Sequence, residues 1–269
     1  MISFNVVDKY GTETFTDLLN TLSHTNCPIG LDTETTGLDF FVDKVILIQL
    51  EIDGSIYLID ATKLERRFVE YILALLKAQD RELVMHNSKF DIKMIANNFG
   101  VHLSNVYDTM WAEVLLNQGV GKKFYSLKEL IEKYSGVSVD KSERETFINF
   151  SGPFTQEQLI YSAVDVAYLV DIMVSQKSSI LSAKMGRVLD VEMKVCPVVA
   201  EMENSGISVD VPAWRELLKG FEGERELAQK DLMDKILTFV NVDNFTTTLE
   251  LADKLCIPVK TKRDRTALE

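Results

Sequence analysis

Cysteine and histidine are scarce, with three of each in 269 residues. Cys27, Cys196 and Cys256 lie far apart and form no CxxC pair, which excludes a disulfide framework and a thiolate zinc site and fits a reducing compartment. Cations are also in short supply: 29 Lys and Arg stand against 41 Asp and Glu, a formal net charge of −12. Coating nucleic acid through a broad basic face requires many cations to neutralise phosphates, so that class of protein is excluded. An enzyme that grips a few nucleotides is not, because bound divalent ions supply positive charge where phosphates sit. No window approaches a membrane span, and the N-terminal Met1-Ile2-Ser3-Phe4-Asn5-Val6-Val7 has no basic run leading into an apolar stretch. The expectation is a cytoplasmic protein with no membrane partner. Internal repeats and low-complexity linkers are absent too.

The chain is 46% hydrophobic and 26% charged, the composition of an ordinary globular protein. Its length allows one large domain, or one domain and part of another. Two regimes meet near residue 180. Before it, β-rich runs at Ile29 to Asp32, Val45 to Ile52, Ser55 to Ile59 and Leu83 to His86 alternate with helical patterns at Glu65 to Ala78 and Asn87 to Asn98, the latter ended by Gly100. Asp53-Gly54 reads as a two-residue hairpin turn. A further helix over Thr155 to Ser175 opens on a capping box, Thr155 with Gln158. This order predicts an α/β domain with a mixed sheet over residues 1–180. Residues 181–269 predict a helical segment: Leu181 to Asn204 closed by Gly206, Val211 to Phe239 capped by Asp210, then a short helix at Thr247 to Leu255 and a basic tail.

Acidic residues form the candidate site. Asp32 and Glu34 stand two apart on a strand, so alternation aims both at one face, where their repulsion raises the pKa of one unless a cation intervenes. Asn87 and Asp91 share one side of the next helix start, as do Tyr161 and Asp165 on the later helix. Taken singly, each pattern is common for plain structural reasons: a solvated strand end, a helix cap, a chance pair on a helix surface.

Their order and spacing resemble the DEDD superfamily of 3′→5′ exonucleases, in the subfamily with Tyr in the third motif. Asp32-Thr33-Glu34 resembles the first motif, Asn87-Ser88-Lys89-Phe90-Asp91 the second and Tyr161-Ser162-Ala163-Val164-Asp165 the third; Tyr107-Asp108-Thr109-Met110 and Ser126-Leu127-Lys128-Glu129-Leu130 are similar to further stretches of that family. The likeness spans roughly residues 25–180 and implies a ribonuclease H-like mixed sheet flanked by helices. It also implies a catalytic set of Asp32, Glu34, Asp91, Tyr161 and Asp165, with the four carboxylates holding two Mg²⁺ or Mn²⁺ ions. Asp32, Glu34 and Asp165 would hold one ion, Asp32 would bridge to a second served by Asp91 partly through water, and Tyr161 would orient the attacking water. Thr35, Leu38 and Asn87 would contact the terminal nucleotide, with plain core packing the rival reading for Leu38. Phe147, Phe150 and Phe154 could include a base-stacking platform or be core, and Lys122, Lys123 and Lys128 could be phosphate contacts or solvated surface.

Glu192 through Asp210 resembles the segment joining the proofreading exonuclease to the thumb in family A DNA polymerases, and Asn241 through Lys262 continues in that manner. This resemblance implies DNA 3′ ends, single-stranded or frayed, as substrate and a polymerase domain as partner in the same or another chain. The motifs for nucleotide addition are absent from these residues, so no polymerase activity is expected of them. A ribonuclease D-like exoribonuclease and a non-catalytic scaffold module of a replication complex are the alternatives.

Overall fold

The computed structural model describes residues 2–118, 120, 125–139, 146–148 and 150–240, the side chains of 235–240 excepted. Among these residues six strands form one mixed sheet in the order β1-β4-β3-β2-β5-β6: β1 Asn5–Val7, β2 Ile29–Thr35, β3 Val45–Ile52, β4 Ser55–Asp60, β5 Leu83–Met85 and β6 Val106–Asp108. Strands β2 to β4 run antiparallel; β2 pairs in parallel with β5, and β5 with β6. Asp53 and Gly54 take φ of 52° and 81°, the mirror-type turn that follows the twist of the strands it joins. The expected α/β class with a mixed sheet is what forms. Unforeseen is β1, a three-residue edge strand parallel to β4 and too short to show alternation.

Alternation divides β2 and β3 between two cores. Ile29, Leu31, Ile48, Leu50 and Ile52 pack with helices α1 (Glu13–His24), α2 (Arg66–Ala78) and α3 (Lys89–Phe99). Leu47, Ile56, Leu58 and Val84 pack on the opposite face with α4 (Thr109–Leu116), α5 (Leu127–Ser135), α6 (Gln156–Ala167) and α7 (Leu169–Ser182). Thr155 and Gln158 make the reciprocal capping box at the start of α6. The single helix expected from Thr155 to Ser175 breaks at Tyr168 (φ −113°, ψ −4°), because α6 lies over β2, β3 and β4 while α7 turns onto α4 and α5.

Together Gln156–Ser182 are long and apolar enough to cross a membrane by length and composition, contrary to the sequence reading. Half of its most apolar window is buried within the protein and the break at Tyr168 divides the stretch, as suits a pair of core helices.

By packing, residues 1–206 form one compact unit, and the described residues from Ile207 onward belong to a second. Helix α8 (Gly186–Ser205) belongs to the first because it buries Met193, Cys196 and Ala200 and packs against α3 and β6. Its Glu203 accepts from Lys89 Nζ and Lys93 Nζ at 2.6 Å each. In the second unit α9 (Val211–Val240) is capped by Asp210, whose Oδ1 accepts from Ala213 N at 3.0 Å. The short helix and basic tail expected after residue 241 lie outside the described residues.

Glu113 ties α4 to α5 and α7. Its buried carboxylate accepts from Lys133 Nζ, Tyr134 Oη (2.7 Å), Gln176 Nε2 (3.0 Å) and Asn117 Nδ2 (2.9 Å). Burial alone would raise its pKa, but these bonds outweigh burial and hold it below the usual value of 4.5. A depressed folded pKa gives stability that is fully present above the unfolded pKa and is lost as pH falls through the folded value. Glu113→Gln should therefore cost about 2 kcal/mol at pH 7, with the gap to wild type closing as pH falls below the usual glutamate value and through the depressed folded one. Urea midpoints measured from pH 3 to 7 test this; a pH-independent gap would refute it.

Candidate active site

Strand β2 carries Asp32 and Glu34 toward α6. Gly30 lets that helix come close: an added Cβ would lie 3.1 Å from the Val166 carbonyl oxygen and 3.2 Å from Glu51 Cβ. The close approach brings Asp165, one residue before Val166, to the two strand acids. One ligand oxygen from each of Asp32, Glu34 and Asp165 lies within 4.8 Å of the others, with Glu34 and Asp165 buried. Ser162 Oγ, on the same helix, donates to Glu34 Oε1 at 3.4 Å.

Asp91 is held apart from that trio. Strand β5 pairs with β2 only at Ile29 and Gly30, so beyond them the edge of β2 is left to the start of α3. There Asp91 Oδ1 accepts from Thr33 Oγ1 at 2.6 Å. Its pKa is pushed up to about 7, chiefly by burial, against the pull of the Thr33 bond and with the Asp108 charge adding to the rise. The structure thus gathers three of the four expected metal-binding acids into one cluster and tethers the fourth through the residue between Asp32 and Glu34.

Tyr161 is 7% exposed and packs with Ile46 and Phe147. Burial drives its pKa far above the ordinary value, and the Asp165 and Glu34 charges, a hydrogen bond to Asp165 and the Asp32 charge act in the same direction. The phenol stays protonated and is no general base at neutral pH.

Leu38 is 74% exposed, so it is not core. Its loop is fixed by Asp43, which accepts from Thr36 Oγ1 at 3.1 Å and Asp39 N at 2.8 Å. Gly37 leaves Asp43 its place, since a Cβ there would press on the Asp43 carboxylate. Thr35 is buried, its Oγ1 donating to the Gly37 carbonyl at 2.7 Å. Asn87 is exposed with φ 63°, one residue ahead of the Ser88 cap of α3. Phe147 is core, whereas Phe150 and Phe154 are half-buried and stack at 4.5 Å. Lys128 is half-buried on α5; Lys122 and Lys123 lie outside the described residues.

Two residues have supporting roles that the sequence reading did not assign. Asp108, fully buried at the end of β6, accepts from five donors: Asn87 N, Ser88 N, Ser88 Oγ, Met110 N and Trp111 N. It caps α4 and at the same time fixes the turn that launches α3 and Asp91. Gln49 on β3, paired in register with Asp32, is fully buried, and among the described residues neither of its carboxamide atoms has a partner. Leaving such a group unsatisfied costs about 1–3 kcal/mol.

The all-oxygen donor set and the crowding of acids in a largely buried place fit a hard divalent cation, since such a group of charges is unfavourable without one.

The fold is shared with Escherichia coli RNase D, described as an exoribonuclease involved in structured RNA processing, at a TM-score of 0.66 and 21% identity over 82% of this chain and 55% of that one. Brucella melitensis NrnC, in a structure with bound Mg²⁺, superposes at 0.62 with 22% identity over 78% of this chain and 98% of that one. In sequence, the DNA polymerase of Mycobacterium phage L5 is 25% identical over 95% of this chain, and ribonuclease D of Bartonella henselae 28% identical over 84%. The chain spans about half the length of these curated relatives, 45% and 53% respectively. Residues 9–177, more than half of the chain and including Asp32, Glu34, Asp91 and Asp165, match the family described as 3′–5′ exonuclease. This chain belongs to that 3′–5′ exonuclease family.

Proposed function

We propose that this chain removes nucleoside monophosphates from DNA 3′ ends, as the proofreading part of a replicative polymerase. The observation that carries the choice of DNA is the reach of the likeness: the phage DNA polymerase aligns over 95% of this chain and so extends past the sheet into the second unit. Asp32, Glu34 and Asp165 would hold one Mg²⁺ or Mn²⁺ ion, and Asp32 with Asp91 a second. Bound there, such ions supply an acidified water and stabilise charge on the phosphate and on the leaving oxygen.

The chain's own groups do the positioning. Tyr161 keeps its proton and bonds Asp165, so its oxygen is free to accept from the attacking water and orient it. Leu38, held out by the Asp43-bound loop, wedges against the terminal base, and Thr35 and Asn87 contact the terminal nucleotide.

The test is digestion of 5′-labelled single strands of DNA and RNA, matched in sequence, with Mg²⁺ or Mn²⁺. DNA should ladder from its 3′ end at least about tenfold faster, the 2′-hydroxyl being the feature the site must refuse. Faster cleavage of RNA would move the assignment to a ribonuclease D-like activity, which the 28% identity to the Bartonella enzyme favours. No ladder on either polymer would leave a non-catalytic module.

A further inference from the structure

Gln49 sits in the middle of β3, a strand otherwise apolar from Val45 to Leu50, and is 0% exposed. Its two side-chain polar atoms, Nε2 and Oε1, have no hydrogen-bonding partner among the described residues. Folding does not account for this residue. Buried amides are nearly always paired, and a methionine or leucine of similar volume would fill the same place without an unmet donor and acceptor.

Register places the amide where it can serve the site. Gln49 is the cross-strand partner of Asp32 in the antiparallel β2·β3 pair, with Leu58 as its partner on β4. Directly opposed residues project from the same face of a sheet, with Cβ atoms about 4.5–5.5 Å apart. The amide therefore stands on the face that α6 covers, beside the one acid common to both ion positions in the proposed function. A carboxylate oxygen that binds a cation keeps a further lone pair able to accept a hydrogen bond, and partners behind metal-binding groups fix their orientation.

We propose that Gln49 is a positioning residue for Asp32, its amide N–H donating to a carboxylate oxygen of Asp32 when that acid engages divalent cations. The role rests on the metal-dependent reading above. It makes Gln49 a group that is unsatisfied when Asp32 is not engaged and satisfied when it is, so that cation binding and order at Asp32 reinforce each other.

The test compares wild type with Gln49→Met, which keeps the volume and removes both polar atoms. Melting is followed in EDTA and across a Mn²⁺ titration. In EDTA the variant should melt at or above the wild-type temperature. Its Mn²⁺-dependent rise should need about 10- to 100-fold more ion, the range found when groups supporting metal ligands are removed. Gln49→Leu carries the same expectations and serves if the methionine variant does not melt cooperatively. If wild type responds to Mn²⁺ and the variants follow the same curve, Gln49 has no such role although the metal reading stands. A wild type indifferent to Mn²⁺ overturns both. Loss of cooperative melting in both variants also overturns the proposal, because it would assign Gln49 to folding.

Discussion

Asp32→Ala is expected to lower the exonuclease rate at least about a thousandfold while raising the melting temperature measured in EDTA. The loss follows from its place in the cluster. Asp32 shares a 4.8 Å neighbourhood with Glu34 and Asp165 and is the acid assigned to both ions. Removing a contribution of several kcal/mol to the charged transition state corresponds to three or more powers of ten in rate. The gain in stability has the opposite origin. Three carboxylates crowded at the end of β2 repel one another without a cation, so deleting one relieves about 1 kcal/mol. For a unit of this size that is roughly 2–4 °C. Wild type should in turn gain melting temperature with Mn²⁺, by an amount set by ion concentration over dissociation constant, and Asp32→Ala should gain little. Nuclease rates and melting curves with and without Mn²⁺ decide the matter. A variant that is less stable than wild type in EDTA would show that the acids are held for structure, and one that still ladders DNA would remove Asp32 from the chemistry.

The parts of this site that local rules govern were legible in the sequence. Alternation along β2 correctly aimed Asp32 and Glu34 together, the i, i+4 spacing joined Tyr161 to Asp165, and Thr155 with Gln158 marked the start of their helix. What local rules do not govern stayed hidden. Strand alternation says that Thr33 faces away from its two acidic neighbours, but not that Asp91, 58 residues on, will be waiting there. A glutamine in an apolar run signals a buried polar group without revealing that it goes unpaired. Helix α8 hides its packing partner in the same way. Met193, Cys196 and Ala200 make a narrow apolar stripe that any antiparallel helix could cover, and only the folded chain shows it closing on α3 and β6. The break at Tyr168 is likewise a consequence of where two sheet-covering helices must go, since the apolar pattern runs through it without interruption.

Asp108→Ala should produce the largest loss of stability of any single change near the site, about 3–5 kcal/mol. Burial raises the pKa of this carboxyl, and the bonds from Ser88, Trp111 and Asn87 act against that rise. Alanine would leave five donors without their acceptor: two at the first turn of α4 and three at the turn before α3. The second group matters for catalysis. Asn87 is held at φ 63°, a region uncommon for residues other than glycine though asparagine tolerates it, and its own N–H with the N–H and O–H of Ser88 bind the turn to Asp108. Once released, the turn relaxes and α3 no longer starts where Asp91 meets Thr33. Asp108→Asn separates the two effects. Its carbonyl oxygen can still accept from one set of donors, but its amide nitrogen would face the remaining donors, so stability should fall by a smaller amount while the Asp91–Thr33 contact is still loosened. Urea unfolding should order the proteins as wild type, Asn, Ala. Amide exchange at Asn87 and Ser88 should quicken in both variants ahead of exchange in β2, and cleavage should slow even where the protein remains folded. Equal protection of that turn in wild type and Asp108→Asn would mean that the launch of α3 is secured by α8 instead, through the Glu203 bonds to Lys89 and Lys93.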